Sequence, residues 1–171
     1  MDFLDLVANR ESIRDYDSEK LIPEQILFKI LEAGRLAPSA CNLQPWKFVV
    51  VSSRQKLEEV RTTYSRSWFA EAPHILIVVG NSTQSWVRSD GYNSIETDLA
   101  IAMDHIILAA ESLSVGTCWV GNFDYAALKK VLNLDKDEVV FAMTPLGYTK
   151  SGFRKKGQKS RKKMAEIVHF I

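Results

Sequence analysis

Residues Gly34 to Phe48 read GRLAPSACNLQPWKF, and the fold turns on how that stretch is read. It carries two of the chain's five prolines and one of its two cysteines. Pro38 and Pro45 forbid a continuing helix, and Pro45 pushes Gln44 toward an extended conformation. Between the prolines lie Ser39, Ala40, Cys41, Asn42, Leu43 and Gln44, small or polar residues that permit close approach of a ligand. An apolar run from Trp46 to Val51 follows at once. Two readings fit. One is a polar loop that feeds a buried strand and holds a planar ligand against backbone and amides. The other is a plain helix-to-strand connector.

Working outward, Pro23 opens a helix with Ile26, Leu27, Ile30 and Leu31 inward, which runs into the loop. Before it, Asp2 caps a short helix with Phe3, Leu6 and Val7 on one face. After the loop, Trp46 to Ser52 predicts a buried strand, and Ser53 caps a helix bearing Leu57, Val60 and Tyr64. Trp68 to Pro73 is a connector, and His74 to Gly80 (HILIVVG) is a second buried strand. Asn81 to Tyr92 is polar and reads as a surface loop or lid. Asn93 and Glu96 resemble a capping box. They open the longest helical pattern, about Ser94 to Leu113, apolar on nearly all sides; such a helix is central in a core or shared with a partner subunit. Val115 to Val120 is a third strand, Asp124 caps a helix with Leu128, Val131 and Leu132, and Val139 to Tyr148 is a fourth strand. Pro145 predicts a bend or an edge position in that strand. The pattern is that of a single α+β domain, residues 1–171, with helices flanking a mixed sheet.

A chain of 171 residues with 46% hydrophobic and 25% charged residues is ordinary for a soluble protein. No apolar run reaches the ~20 residues of a membrane span, and MDFLDLVANR lacks a signal-peptide layout. Two cysteines far apart, Cys41 and Cys118, fit a reducing compartment, so a cytoplasmic location without membrane attachment is expected. No G-x-G-x-x-G follows a strand, and Walker A and G-x-S-x-G patterns are absent. His74, His105 and His169 are isolated, which leaves no metal site; His105, inside the long helix, reads as structural.

Charge is unevenly placed. Arg154 to Lys163 (RKKGQKSRKK) holds 7 of the 22 basic residues, leaving 15 basic against 21 acidic residues elsewhere, a body near −6. A basic segment on an acidic body points to an anionic partner. Near the other end, Arg10, Ser12 and Arg14 alternate in what reads as extended chain, which directs all three side chains to one side. Two guanidiniums flanking a hydroxyl suit a phosphate, through charge-assisted bidentate hydrogen bonds. A solvated charged turn is the plainer alternative. With Lys159 and Arg161 closing from the tail, the two basic segments suit one phosphate while the Pro-bracketed loop holds a planar ring.

At this point the chain resembles the FMN-dependent nitroreductase family. The resemblance rests on Arg10-x-Ser12-x-Arg14, Pro38-Ser39-x-x-Asn42-x-Gln44-Pro45-Trp46 and Ala72-Pro73-His74. It continues through Ala109-Ala110-Glu111-Ser112-Leu113, Gly116-Thr117-Cys118-Trp119-Val120-Gly121 and Lys159-Ser160-Arg161, in family order over nearly the whole chain. It implies a mostly antiparallel sheet of about four or five strands in an intertwined homodimer, with two FMN sites each built from both chains. By position, Arg10, Ser12, Arg14, Lys159 and Arg161 would hold the FMN phosphate. Pro38, Ser39, Ala40 and Asn42 would line the flavin ring, with Gln44 nearby, and the backbone of Val120, Gly121 and Asn122 would pass its reactive nitrogen. NADH or NADPH would be the transient co-substrate and a nitroaromatic, quinone or similar small molecule the acceptor, in a ping-pong cycle. No catalytic side chain is implied, because the cofactor carries the chemistry. Arg66 is the candidate for a lysine often found near the flavin pyrimidine edge, and Trp86 or Tyr92 for stacking on substrates.

Two alternatives stand beside this. A family relative with reductive dehalogenase or flavin-dependent oxidase chemistry would show substrate-anchoring charges in its lid, where only Arg88 and Asp90 are charged. A non-enzymatic module would use the basic tail to bind nucleic acid or another anion.

Overall fold

The computed structural model describes residues 2–157 and 159–171. Its centre is β2 (His74–Asn81). Leu76 and Val78 face one side of the sheet and Ile75, Ile77 and Val79 the other, and all five are fully buried. Strand alternation delivers this, because successive side chains point to opposite faces. On one face lie α2 (Glu24–Arg35) and α5 (Ile95–Ser112), which supply Ile30, Leu99, Met103 and Ile106. On the other lie α3 (Arg54–Arg61), α4 (Ser67–Ala70) and α6 (Tyr125–Val131), which supply Leu57, Val60, Phe69 and Leu128. The protein is thus an α+β fold with a sheet between two helical layers.

The four-stranded sheet has the order β1-β2-β4-β3, with β1 at Trp46–Val51, β3 at Gly116–Thr117 and β4 at Glu138–Gly147. All strand pairs are antiparallel, and the parallel component is one bridge between Ser12 and Thr117. Pro145 is not at an edge: β4 lies inside the sheet, paired with β2 on one side and β3 on the other. The proline instead shortens β3. Met143 and Val120 exchange both backbone bonds, so two residues on Pro145 faces the same neighbour, opposite Cys118, with no N–H to offer. The Thr144 hydroxyl accepts the Cys118 N–H at 3.0 Å and donates to the Pro145 carbonyl at 3.0 Å.

Local signals are mostly realised. Ser53 and Asp124 cap α3 and α6 through their side chains. The connector before β2 contains the short α4, and Tyr64 falls beyond the end of α3. The capping box at Asn93 does not form: Ser94 occupies the cap position of α5, and the Asn93 side-chain carbonyl takes the Ile95 N–H at 2.9 Å. His105 is exposed, its ring set against the Ile101 carbonyl, and fills no core position. Helix α1 (Phe3–Asn9) forms, but its apolar face is left uncovered among the described residues, with Phe3 62% and Leu4 71% exposed. A short α7 (Met164–Ile167) follows the basic tail. Among the described residues no helix is long and apolar enough to cross a membrane.

His74 opens β2 and is buried, with Nδ1 2.8 Å from Ser52 Oγ and no partner at Nε2 among the described residues. Burial pushes its pKa below the ordinary 6.5, since an imidazolium there loses hydration. Between the two values the unfolded chain binds the additional proton, so stability is full above about pH 6.5 and falls as pH drops through it. Urea midpoints should therefore decline as the pH is lowered below about 6.5. The His74→Ala variant should be less stable at neutral pH and should lack that decline.

Candidate functional site

The chain between α1 and α2 is extended where it crosses the end of β3. Ile13 is buried and its N–H donates to the Thr117 carbonyl at 2.7 Å, which turns Ser12 and Arg14 on either side of it outward. The basic tail lies against this arm. The Glu11 carboxylate accepts the backbone N–H groups of Gly157 (2.7 Å) and Lys156 (3.1 Å). These two bonds hold its pKa below the ordinary carboxylate value. Lys155 donates to the Asn9 carbonyl and pairs with Glu111, while Lys159 Nζ donates to the Val7 carbonyl at 3.0 Å. The result is a cleft of about 410 Å³ whose walls include Arg10, Ser12, Arg14, Lys159 and Arg161. All five residues singled out for a phosphate therefore converge.

The electrostatics of the cleft suit an anion. Lys159 has its pKa lowered first by desolvation and then by the charges of Arg10 and Arg161. Like charges held this close repel one another until an anion neutralises them. The Arg14 guanidinium lies 5.7 Å from the centre of the Trp68 ring, a cation–π contact that orients it. Beneath the arm sits the Cys118 thiol, whose pKa burial pushes up against the opposing influence of Arg14 and Ser12.

The Pro-bracketed loop is elsewhere. None of Pro38, Ser39, Ala40, Asn42 and Gln44 lines the basic cleft. A turn of 3₁₀ helix, Ala40–Asn42, shapes the loop, with left-handed backbone at Cys41 (φ 49°), Asn42 (φ 55°) and Gln44 (φ 49°). Gln44 is therefore not extended. Its N–H is taken by Ser39 Oγ at 2.9 Å and its side-chain amide donates to the Asn42 carbonyl and Oδ1, which together outweigh the steric preference imposed by Pro45. The Ala40 N–H donates to Asp98 Oδ1 in the first turn of α5. A second basic cleft, which shares Arg10, Lys159 and Arg161 with the first, is lined by Asp104 and Leu108 of the same helix, about 9–15 Å further along its axis at 1.5 Å per residue.

Of the three residues past β3, Val120 has both backbone groups committed to Met143. Gly121 and Asn122 are exposed, and a Cβ at Gly121 would meet nothing within 4 Å. The 81–93 segment folds on itself, with Val87 bridging Asn93 and the Arg88 N–H donating to the Tyr92 carbonyl at 2.8 Å. Arg88 makes a bidentate pair with Asp90 (2.9 and 2.8 Å) and stacks on Tyr92 at 4.8 Å. Its two charges therefore neutralise each other. Arg66 lies exposed at the cap of α4 and lines neither basic cleft. Two site residues escaped the sequence reading: Glu11, an acid inside a cationic motif, and Asp98, an acid on the buried stripe of an apolar helix.

The nitroreductase family model matches residues 7–64 and 54–148. The chain belongs to the nitroreductase family. An Archaeoglobus fulgidus relative, named for NADH dehydrogenase and NAD(P)H nitroreductase activity, is 33% identical over 151 residues, spanning 86% of this chain and 85% of its own. A crystal structure of a nitroreductase family protein from Clostridium difficile 630 is 26% identical with a TM-score of 0.91, covering 99% of this chain and 98% of that one. A Desulfovibrio desulfuricans protein crystallised in complex with FMN is 25% identical with a TM-score of 0.82, covering 96% of this chain and 94% of that one. The fold is shared with both of these nitroreductase structures over almost the full length of each chain.

Proposed function

We propose that this nitroreductase is an FMN-dependent oxidoreductase that passes electrons from NADH or NADPH to a small acceptor such as a nitroaromatic or a quinone. The observation that carries the reading is the convergence of Arg10, Ser12, Arg14, Lys159 and Arg161 on one cleft. Bound FMN would supply the hydride chemistry. The residues bind and orient: the guanidiniums and Lys159 neutralise the phosphate, and the Ser12 hydroxyl donates to it. The loop Pro38–Gln44 offers a wall for the flavin ring, with Ser39, Ala40 and Asn42 facing it. A backbone N–H from Gly121 or Asn122, not Val120, is the donor to the ring edge that gains electron density.

The ring wall and the phosphate cleft belong to different copies of the chain in this reading. One chain keeps them apart, and it leaves the apolar face of α1, together with Met164 and Ile167 of α7, exposed. A second copy covers these surfaces and brings its loop to the cleft, so the working unit is a homodimer. The mutually neutralised Arg88 and Asp90 give no free charge to anchor a substrate, which weighs against the dehalogenase-like alternative.

The visible spectrum of purified protein tests the reading. Yellow protein that releases FMN on denaturation, sediments as a dimer and gives parallel double-reciprocal plots with NAD(P)H and a quinone is the expected result. Colourless protein that takes up no added FMN overturns it.

A further inference from the structure

We infer that Asp98 is a positioning residue that sets the Pro38–Gln44 loop and couples it to the 81–93 hairpin, an inference that rests on the flavin reading for what the loop touches. Asp98 is 2% exposed. Its two oxygens are shared between two segments. Oδ1 accepts the Ala40 N–H at 2.9 Å, from 58 residues away, and Oδ2 accepts the Ser94 hydroxyl at 2.8 Å. Ser94 in turn donates its backbone N–H to the Trp86 carbonyl at 2.9 Å, inside the hairpin. One carboxylate therefore stands between the proposed ring wall and the segment beside it.

The loop needs such a fixture. Three residues with φ near +50° store backbone strain that neighbouring contacts must offset. The Ser39–Gln44 and Gln44–Asn42 bonds close the loop on itself without fixing it to the core. The Ala40 N–H to Asp98 is the side-chain bond that does so among the described residues. A carboxylate suits the position because it is acceptor-only and both facing groups are donors. A charged acceptor strengthens both bonds. Asparagine keeps the shape but offers a single acceptor oxygen. Asp98 does not touch the ring; it fixes the fraction of molecules whose loop is shaped to receive it, and apparent affinity scales with that fraction.

The test compares wild type with Asp98→Ala, Asp98→Asn and Ser94→Ala, using two readouts. The first needs no flavin: Cys41, exposed and adjacent to Ala40, reports loop looseness through its rate of reaction with a thiol reagent, while Cys118 is buried. The second is FMN affinity by fluorescence titration, with the flavin absorption envelope recorded at saturation. Asp98→Ala should speed the Cys41 reaction and weaken FMN binding by roughly tenfold, the scale of losing a charge-assisted hydrogen bond. Asp98→Asn should fall between it and wild type. Ser94→Ala, which cuts the link toward the hairpin, should raise the Cys41 rate by less than Asp98→Ala while altering protection of the hairpin amides; a Cys41 rate unchanged in Ser94→Ala would overturn the coupling. A lowered thermal midpoint with unchanged Cys41 reactivity and unchanged FMN affinity would reduce Asp98 to a structural residue and overturn the inference. If Asp98→Ala does not fold, Asp98→Asn carries the same comparison. If wild type takes up no FMN, the flavin reading fails, and the Cys41 rates still decide whether Asp98 holds the loop.

Discussion

Replacing Arg14 and Arg161 together by alanine should weaken FMN binding by roughly a hundredfold while leaving the fold intact, since each loss removes a charge-assisted bond to phosphate. The lower end of the range for such bonds applies because both side chains are exposed and salt screens them. The two residues enter the cleft from opposite ends of the chain, Arg14 from the arm and Arg161 from the tail. Neither supports the core. Arg14 rests on the face of Trp68 and Arg161 donates to the Ser160 carbonyl, so thermal midpoints of the apoproteins should agree closely. Fluorescence titration at two salt concentrations is the informative measurement, because wild-type affinity should fall with salt more steeply than that of the double variant. Unchanged affinity would place the phosphate site elsewhere.

The largest effect on stability is expected at Gly34. This residue lies in α2 where the helix crosses α5, and a Cβ there would stand 2.7 Å from Ile106 Cδ1 and Cγ1 and 2.9 Å from Phe48 Cζ. Alanine would recover part of its steric cost through better helix propensity. Valine adds two further methyl groups with a stiff χ1 and recovers much less. Gly34→Val should destabilise by about 3 kcal/mol, the upper part of the range for overpacking. That shift should appear as a lower urea midpoint at unchanged slope. Gly121→Val, where nothing lies within 4 Å, is the matched control and should leave the midpoint unchanged. Because Gly34 stands just before the Pro38–Gln44 loop, its variant should also loosen the ring wall, which Cys41 reactivity would reveal.

Much of this architecture was legible in the residues because burial writes itself into period and run length. HILIVVG reads as a strand covered on both faces because it is short, apolar and rich in β-branched residues, and the Ser94–Leu113 pattern locates α5 to within a residue at each end. The cationic cleft was legible because charge clusters survive as runs and alternations. What was not legible lies in contacts between distant backbones. Glu11 acts on N–H groups 145 and 146 residues away, and Asp98 on one 58 residues away. No local pattern encodes either. Gln44 departs from the extended conformation because Ser39 Oγ and the Asn42 oxygens together outweigh the steric preference set by Pro45. Helix α1 is present where the period places it, but it buries no residue, and periodicity does not say what covers its apolar side chains.

The Thr144 hydroxyl, which takes the Cys118 N–H and passes a bond on to the Pro145 carbonyl where a regular ladder would pair the two residues directly, has a mechanical consequence. Residues 116–120 are fixed to β4 by regular pairing at Gly116–Thr117 and again at Val120, and between these points they are held through a rotatable side chain. The first fixed point carries the arm bearing Ser12 and Arg14; the second releases Gly121 and Asn122. The phosphate end and the ring end of the proposed site are thus joined through one buried side-chain bond rather than a continuous backbone ladder. Between the two ends, the register with β4 is kept by the Thr144 side chain and not by paired backbone.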